Sequence, residues 1–246
     1  MTNRTSTTPE ASVDVPPARG AGWAALAQGL LLLVPLVVLG AAVDWPASLG
    51  DPASIALPQL AENESAVRFG YAVYLLYSVL FAVTITLLAR LVERDLVPGV
   101  RRLVVGFAVA SAIARCVGIV RWLGPMPELA EAYTAAGDDG QRYAVARTYD
   151  ALNSYGGTIG EVLGVGLFAA IAIGLLSVGL LRSHAIPRWA GVWSVVAAAA
   201  VAVNAVELFG VDLGPLATVT VTIVQLWFLA VGVWILVRGA RRFPVR

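Results

Sequence analysis

Lysine is absent. All 17 basic residues are arginine, so no Schiff-base lysine, phosphate-loop lysine or lysine counter-ion exists. Cysteine and histidine occur once each, as Cys116 and His184. A single cysteine closes no intrachain disulfide and holds no iron–sulfur cluster. A single histidine neither grips a haem from both faces nor builds an HExxH zinc site. The expectation is therefore no metal and no cofactor. Charge is scarce too: 13% of residues are charged, against about 25% in soluble domains. The net charge of +1 offers no basic surface for nucleic acid.

What the chain has in abundance is apolar length. It is 59% hydrophobic over 246 residues, with a mean hydropathy of +0.79. Six runs are long enough to cross a hydrocarbon core of about 30 Å: 22–43, 67–91, 103–123, 158–181, 189–209 and 215–237. None alternates with period two, so membrane strands are excluded. The first run is longer than the 7–15 residues of a signal-peptide core and reads as a retained span. Residues 1–20 are polar and read as a disordered tail. Residues 21–240 form the six-span domain, and 241–246 are a basic tail that suits an anionic leaflet.

Arginine sets the orientation. Twelve of the 17 fall on one side: Arg4 and Arg19 in the tail, Arg90, Arg94, Arg101 and Arg102 after the second span, Arg182 and Arg188 after the fourth, and Arg238, Arg241, Arg242 and Arg246 at the end. Only Arg68, Arg142 and Arg147 fall on the other, with ten of the 16 acidic residues. The reading is an all-α, six-helix integral membrane protein of the cytoplasmic (inner) membrane, with both termini cytoplasmic. Its external loops are 44–66 and 124–157. The second of these reads as a short helix over 127–135, a turn at Gly137–Gly140, and a helix from Gln141 capped by Asp138 or Asp139. Tyr133, Tyr143, Tyr149 and Tyr155 suit an aromatic belt at the headgroup level.

An ionisable group in hydrocarbon is costly and turns to the bundle interior, a partner or a wet cavity. Arg115, Arg121, Glu161 and Glu207 lie in the outer half of the third, fourth and fifth spans, and Asn153 and Asn204 add neutral polar groups. Asn153, Gly157 and Glu161 share one helix face. Gly156, Gly160 and Gly164 form a small-residue stripe that lets another helix approach closely. A buried salt bridge from Glu161 to Arg115 or Arg121 is expected. The two arginines point about 120° apart, so the second takes Glu207 or a lipid phosphate. Pro35 is a candidate break in the first span. Cys116 reads as a small core residue and His184 as a solvated loop residue.

Three segments carry a resemblance: VRWLGPMPELAEAY (120–133), ALNSYGGTIGEVLG (151–164) and LLRSHAIPRWAG (180–191). With them, residues 70–240 resemble a family of bacterial multi-pass membrane proteins defined only as a domain of unknown function. The matching positions are Arg121, Trp122, Asn153, Tyr155, Gly160, Glu161, Pro187, Arg188 and Trp189. Val162 stands where that family often has histidine, which removes an acid–base pair at Glu161. The resemblance implies a fold and a site, and no chemistry. Three functions follow as expectations. The first is action through a lipid or a membrane-protein partner. The second is an enzyme on a lipophilic, terpenoid-like substrate, using Glu161 and Glu207. The third is a small-solute transporter.

Overall fold

The structure, a computed structural model, describes residues 16–184, 186–211, 213 and 215–239. Among the described residues there is no strand. Six helical segments are long and apolar enough to cross a membrane. The protein is thus an all-α, multi-pass membrane protein. The C-terminal arginines Arg241, Arg242 and Arg246, and most of the polar N-terminal segment, lie outside the described residues. Residues 16–20, expected in the tail, instead open the first helix.

The first span is broken. Helix α1 (Pro16–Leu31) and helix α2 (Leu33–Val43) meet at Leu32. Pro35 lies four residues after Leu31, lacks the amide that would bond the Leu31 carbonyl, and crowds it with its ring. The two halves then diverge. α1 packs on α4 (Glu64–Leu91) and α10 (Pro215–Trp234), whereas α2 packs on α4. A cleft opens beside α10 above the break.

The third span is α5 (Pro98–Leu123), with Pro98 in its first turn, where a missing amide costs nothing. Two short helices, α3 (Ala53–Glu62) and α6 (Pro125–Thr134), pack on each other. With the start of α7 (Asp139–Gly157) they cap one end of the bundle. Asp138 caps α7, its carboxylate accepting the Gln141 amide at 2.8 Å. The fourth span then runs on as a π-helical segment, Thr158–Ala169, into α8 (Ala170–Arg182). The spacing predicts an uninterrupted α-helix here; the π winding is a departure. The run holds Gly160, Gly164 and Gly166, whose weak α preference offers little resistance to it. The fifth span is α9 (Arg188–Ala202) followed by a 3-10 segment, Val203–Phe209.

Two hydrophobic cores result. The larger fills the uncapped half around Phe81, Leu176, Trp227 and Phe228. The smaller ties the cap to the spans through Leu39, Leu57, Tyr71, Trp122, Met126 and Tyr149. Tyr149 is therefore a core residue and not part of an aromatic belt. It is buried, and its hydroxyl donates to the Asp51 carbonyl at 3.2 Å. Tyr143 and Tyr155 are exposed.

Candidate functional site

The polar residues gather where the two cores meet. α5 and the π-helical segment approach backbone to backbone because Gly118 faces Gly160. A Cβ built on Gly118 would lie 2.7 Å from the Gly160 Cα and 2.9 Å from the Gly156 carbonyl oxygen. The stripe Gly156, Gly160 and Gly164 thus does what its spacing predicts. It also makes room for arginine: a Cβ on Gly156 would strike Arg121, and one on Gly164 would sit 3.0 Å from the Arg115 Cγ.

Arg121 is the partner of Glu161. Its Nη2 donates to the Glu161 carboxylate at 3.0 Å and its Nη1 to the Gly118 carbonyl at 2.9 Å. Its Cζ lies 5.4 Å from the centre of the Trp122 ring, and Trp122 stacks flat on Tyr71 at 5.2 Å. The two ends of the ion pair differ in access. The Arg121 side chain is 6% exposed and that of Glu161 is 39% exposed. The guanidinium is sealed in protein, while the carboxylate opens into free space.

Arg115, the second arginine, does not take Glu207. It is 5% exposed, and among the described residues no carboxylate lies within ion-pair distance of it. Its Nε is buried without a hydrogen-bond partner. Its guanidinium rests on aromatic faces instead, 4.4 Å from the Phe81 ring centre and 5.8 Å from that of Tyr77. Ring quadrupoles attract the cation but accept none of its hydrogen bonds conventionally.

Two cavities flank Glu161. The smaller, about 30 Å³, is bounded by Tyr71, Arg115, Gly118, Arg121, Trp122 and Gly160, and holds roughly two water molecules. The larger, about 240 Å³, lies in the cleft between α2 and α10. Leu32, Leu36, Val165, Val221 and Leu229 give it mostly apolar walls, with Asn204, Glu207 and Gln225 as polar points. Trp45, Leu49, Tyr74 and Glu161 border both. Leu33, Leu36 and Leu226 line the larger cavity and are also exposed on the apolar flank of the bundle, so it opens sideways.

The remaining expected site residues take supporting places. Asn153, on α7, donates to the Leu49 carbonyl at 2.9 Å and so ties α7 to the segment before α3 and not to Glu161. Asn204 bonds Thr220 at 3.0 Å and the Val201 carbonyl at 3.1 Å. Pro187 caps α9, which Arg188 and Trp189 begin. Trp189 tilts against Trp193 far along the bundle from Glu161. Sequence reasoning centred on charge passed over two glutamines inside apolar runs. Gln225 lines the larger cavity, donates to the Gln28 and Gly29 carbonyls at 2.7 and 2.6 Å, and accepts from the Tyr77 hydroxyl at 3.3 Å. Gln28 is fully buried, and neither atom of its side-chain amide has a partner. Among the described residues no three His, Cys, Asp or Glu side chains gather to hold a metal ion.

No curated protein and no solved structure matches the chain. A family model does, over residues 27–239. That stretch takes in most of the first span, the other five, the cap and both cavities. The chain therefore belongs to the family described as Domain of unknown function (DUF4386).

Proposed function

We propose that this protein holds an elongated lipophilic molecule in the cavity between α2 and α10. The observation that carries the reading is the cavity itself: an apolar space of about 240 Å³, open to the bilayer side, with two carboxylates, Glu161 and Glu207, among its few polar groups. Ligand sites have this make-up, apolar walls with a few placed polar groups. Action through lipid contact is thus favoured over a purely structural role, although the Arg121–Glu161 bridge is formed. The cytoplasmic membrane and cytoplasmic termini, read from the arginine distribution, belong to the same proposal.

Filling the cavity tests it. Wild type and Val221→Trp, purified in a mild detergent, are extracted and their co-purifying lipids compared by mass spectrometry. A lipid class enriched in wild type and depleted in Val221→Trp is the expected result. Identical lipid profiles would sink the reading.

A second reading, an enzyme acting on such a molecule, is favoured by one observation: Glu161 and Glu207 line the same cavity. Turnover of the retained lipid that stops in Glu207→Gln would select it.

A further inference from the structure

We infer that the retained molecule is a long-chain carboxylate, with its head in the small cavity against Arg115 and its tail in the larger one. The inference rests on the cavity reading above and adds the head group.

Charge balance comes first. Two guanidinium groups, Arg115 and Arg121, and one carboxylate, Glu161, line the small cavity. Arg121 and Glu161 neutralise each other at 3.0 Å. Arg115 keeps a full positive charge at 5% exposure, with a buried Nε that bonds nothing. A cation taken out of water is strongly disfavoured unless a counter-charge meets it. Rings at 4.4 and 5.8 Å attract it but bring no counter-charge. The wall therefore lacks one negative charge. Glu207, the other nearby carboxylate, lies on the wall of the larger cavity and not of this one.

Size comes second. About 30 Å³ fits roughly two waters, which is the bulk of a carboxylate. A phosphate monoester, with three terminal oxygens on phosphorus, is larger. Tyr71 and Tyr74 border the space and bring hydroxyl donors, so the head would meet donors on more than one side.

Continuity comes third. The two cavities share Trp45, Leu49, Tyr74 and Glu161. The partition is a pair of side chains: the Trp45 and Tyr74 rings meet edge to face at 5.5 Å and must part for a chain to pass. A single amphiphile can place its head on one side and its chain on the other. The tail then leaves through the leucine-lined opening between α2 and α10.

The test uses the full chain, delipidated in detergent, and three probes of one chain length: palmitate, hexadecanol and hexadecyl phosphate. A charge-assisted contact to Arg115 predicts palmitate binding about tenfold or more tighter than hexadecanol. Hexadecyl phosphate binds more weakly than palmitate. In Arg115→Gln, palmitate falls to the level of hexadecanol. Equal binding of palmitate and hexadecanol by wild type overturns the inference, as does a preference for the phosphate. That series needs no variant, so it decides the matter even if Arg115→Gln does not fold. Val221→Trp separates the two proposals. Equal binding of palmitate and hexadecanol that Val221→Trp abolishes removes the carboxylate assignment and leaves the cavity reading intact. Binding that Val221→Trp leaves unchanged overturns both.

Discussion

Arg121 and Glu161 form an ion pair of unequal partners, and the inequality decides what each substitution does. The Arg121 guanidinium is buried and hydrogen-bonded twice; the Glu161 carboxylate is open on one side. Removing the carboxylate strands a buried cation, and stranding one partner costs more than the pair contributes. Glu161→Gln should therefore lower the unfolding free energy in detergent by roughly 1–3 kcal/mol, since the lost contact is charge-assisted and half open to the cavity. Adding Arg121→Gln to Glu161→Gln removes the stranded charge and should recover part of that loss. The non-additivity of the cycle measures the coupling. A Glu161→Gln protein as stable as wild type would show that the pair contributes nothing to the fold. Arg115 is the contrasting case. The expectation that the second intramembrane arginine takes Glu207 or a lipid phosphate follows from charge alone. What it leaves out is Phe81 and Tyr77, whose rings hold the guanidinium and which lie more than 30 residues earlier on α4. No spacing rule within one helix connects them to Arg115.

At the scale of elements, α5 and the π-helical segment meet through glycine, and the contact leaves no slack. Gly118→Ala would put a methyl group 2.7 Å from a backbone carbon and 2.9 Å from a backbone oxygen. Backbone atoms cannot rotate away as a side-chain end can, so the helices must separate. Overpacking of this kind costs about 1–3 kcal/mol. Gly106, on the same helix, supplies the control: nothing lies within 4 Å of its Cβ position. Gly106→Ala should be neutral or stabilising by about 0.5–1 kcal/mol, the ordinary gain of alanine in a helix. Thermal unfolding of the two variants side by side checks the difference; equal effects would mean that the glycine stripe is not a packing contact. The stripe was legible in sequence because its four-residue spacing is a surface property of any helix. The six spans were legible for a similar reason, since about 20 apolar residues suffice to mark a crossing. Two features were not. The π winding over Thr158–Ala169 is a hydrogen-bond register, which leaves little trace in composition. The break at Leu32 was signalled by Pro35, but its consequence was not. That α2 leaves α10 and opens a cavity depends on where α4 and α10 sit, which no local pattern encodes.

At the scale of the whole molecule, the two ends of the bundle differ in how their arginines are matched. The three arginines of the capped end are each beside a carboxylate: Arg68 with Glu64 at 2.7 Å, Arg142 with Asp139 at 3.6 Å and Arg147 with Asp150 at 3.6 Å. At the uncapped end Arg101 pairs with Glu93 at 2.6 Å. Arg90, Arg94, Arg102, Arg182 and Arg188 are in no ion pair within 4.0 Å among the described residues. Retention of basic segments in the cytoplasm follows the number of arginines near the span ends and not net charge. The count and the pairing nevertheless agree, because the uncapped end also carries the unneutralised charge. The uncapped end should face the cytoplasm and the cap should face out. Placing one cysteine at a time tests this in a Cys116→Ala background, which removes the single native thiol. Ala135→Cys sits exposed at the end of α6, and His184→Cys sits exposed in the turn before α9. In intact cells a membrane-impermeant maleimide should label Ala135→Cys directly, and should label His184→Cys only after permeabilisation. The reverse pattern would invert the topology and with it the side from which the cap, Glu161 and the small cavity are approached. Labelling at both positions in intact cells would mean that the six apolar helices do not form one fixed bundle across the membrane.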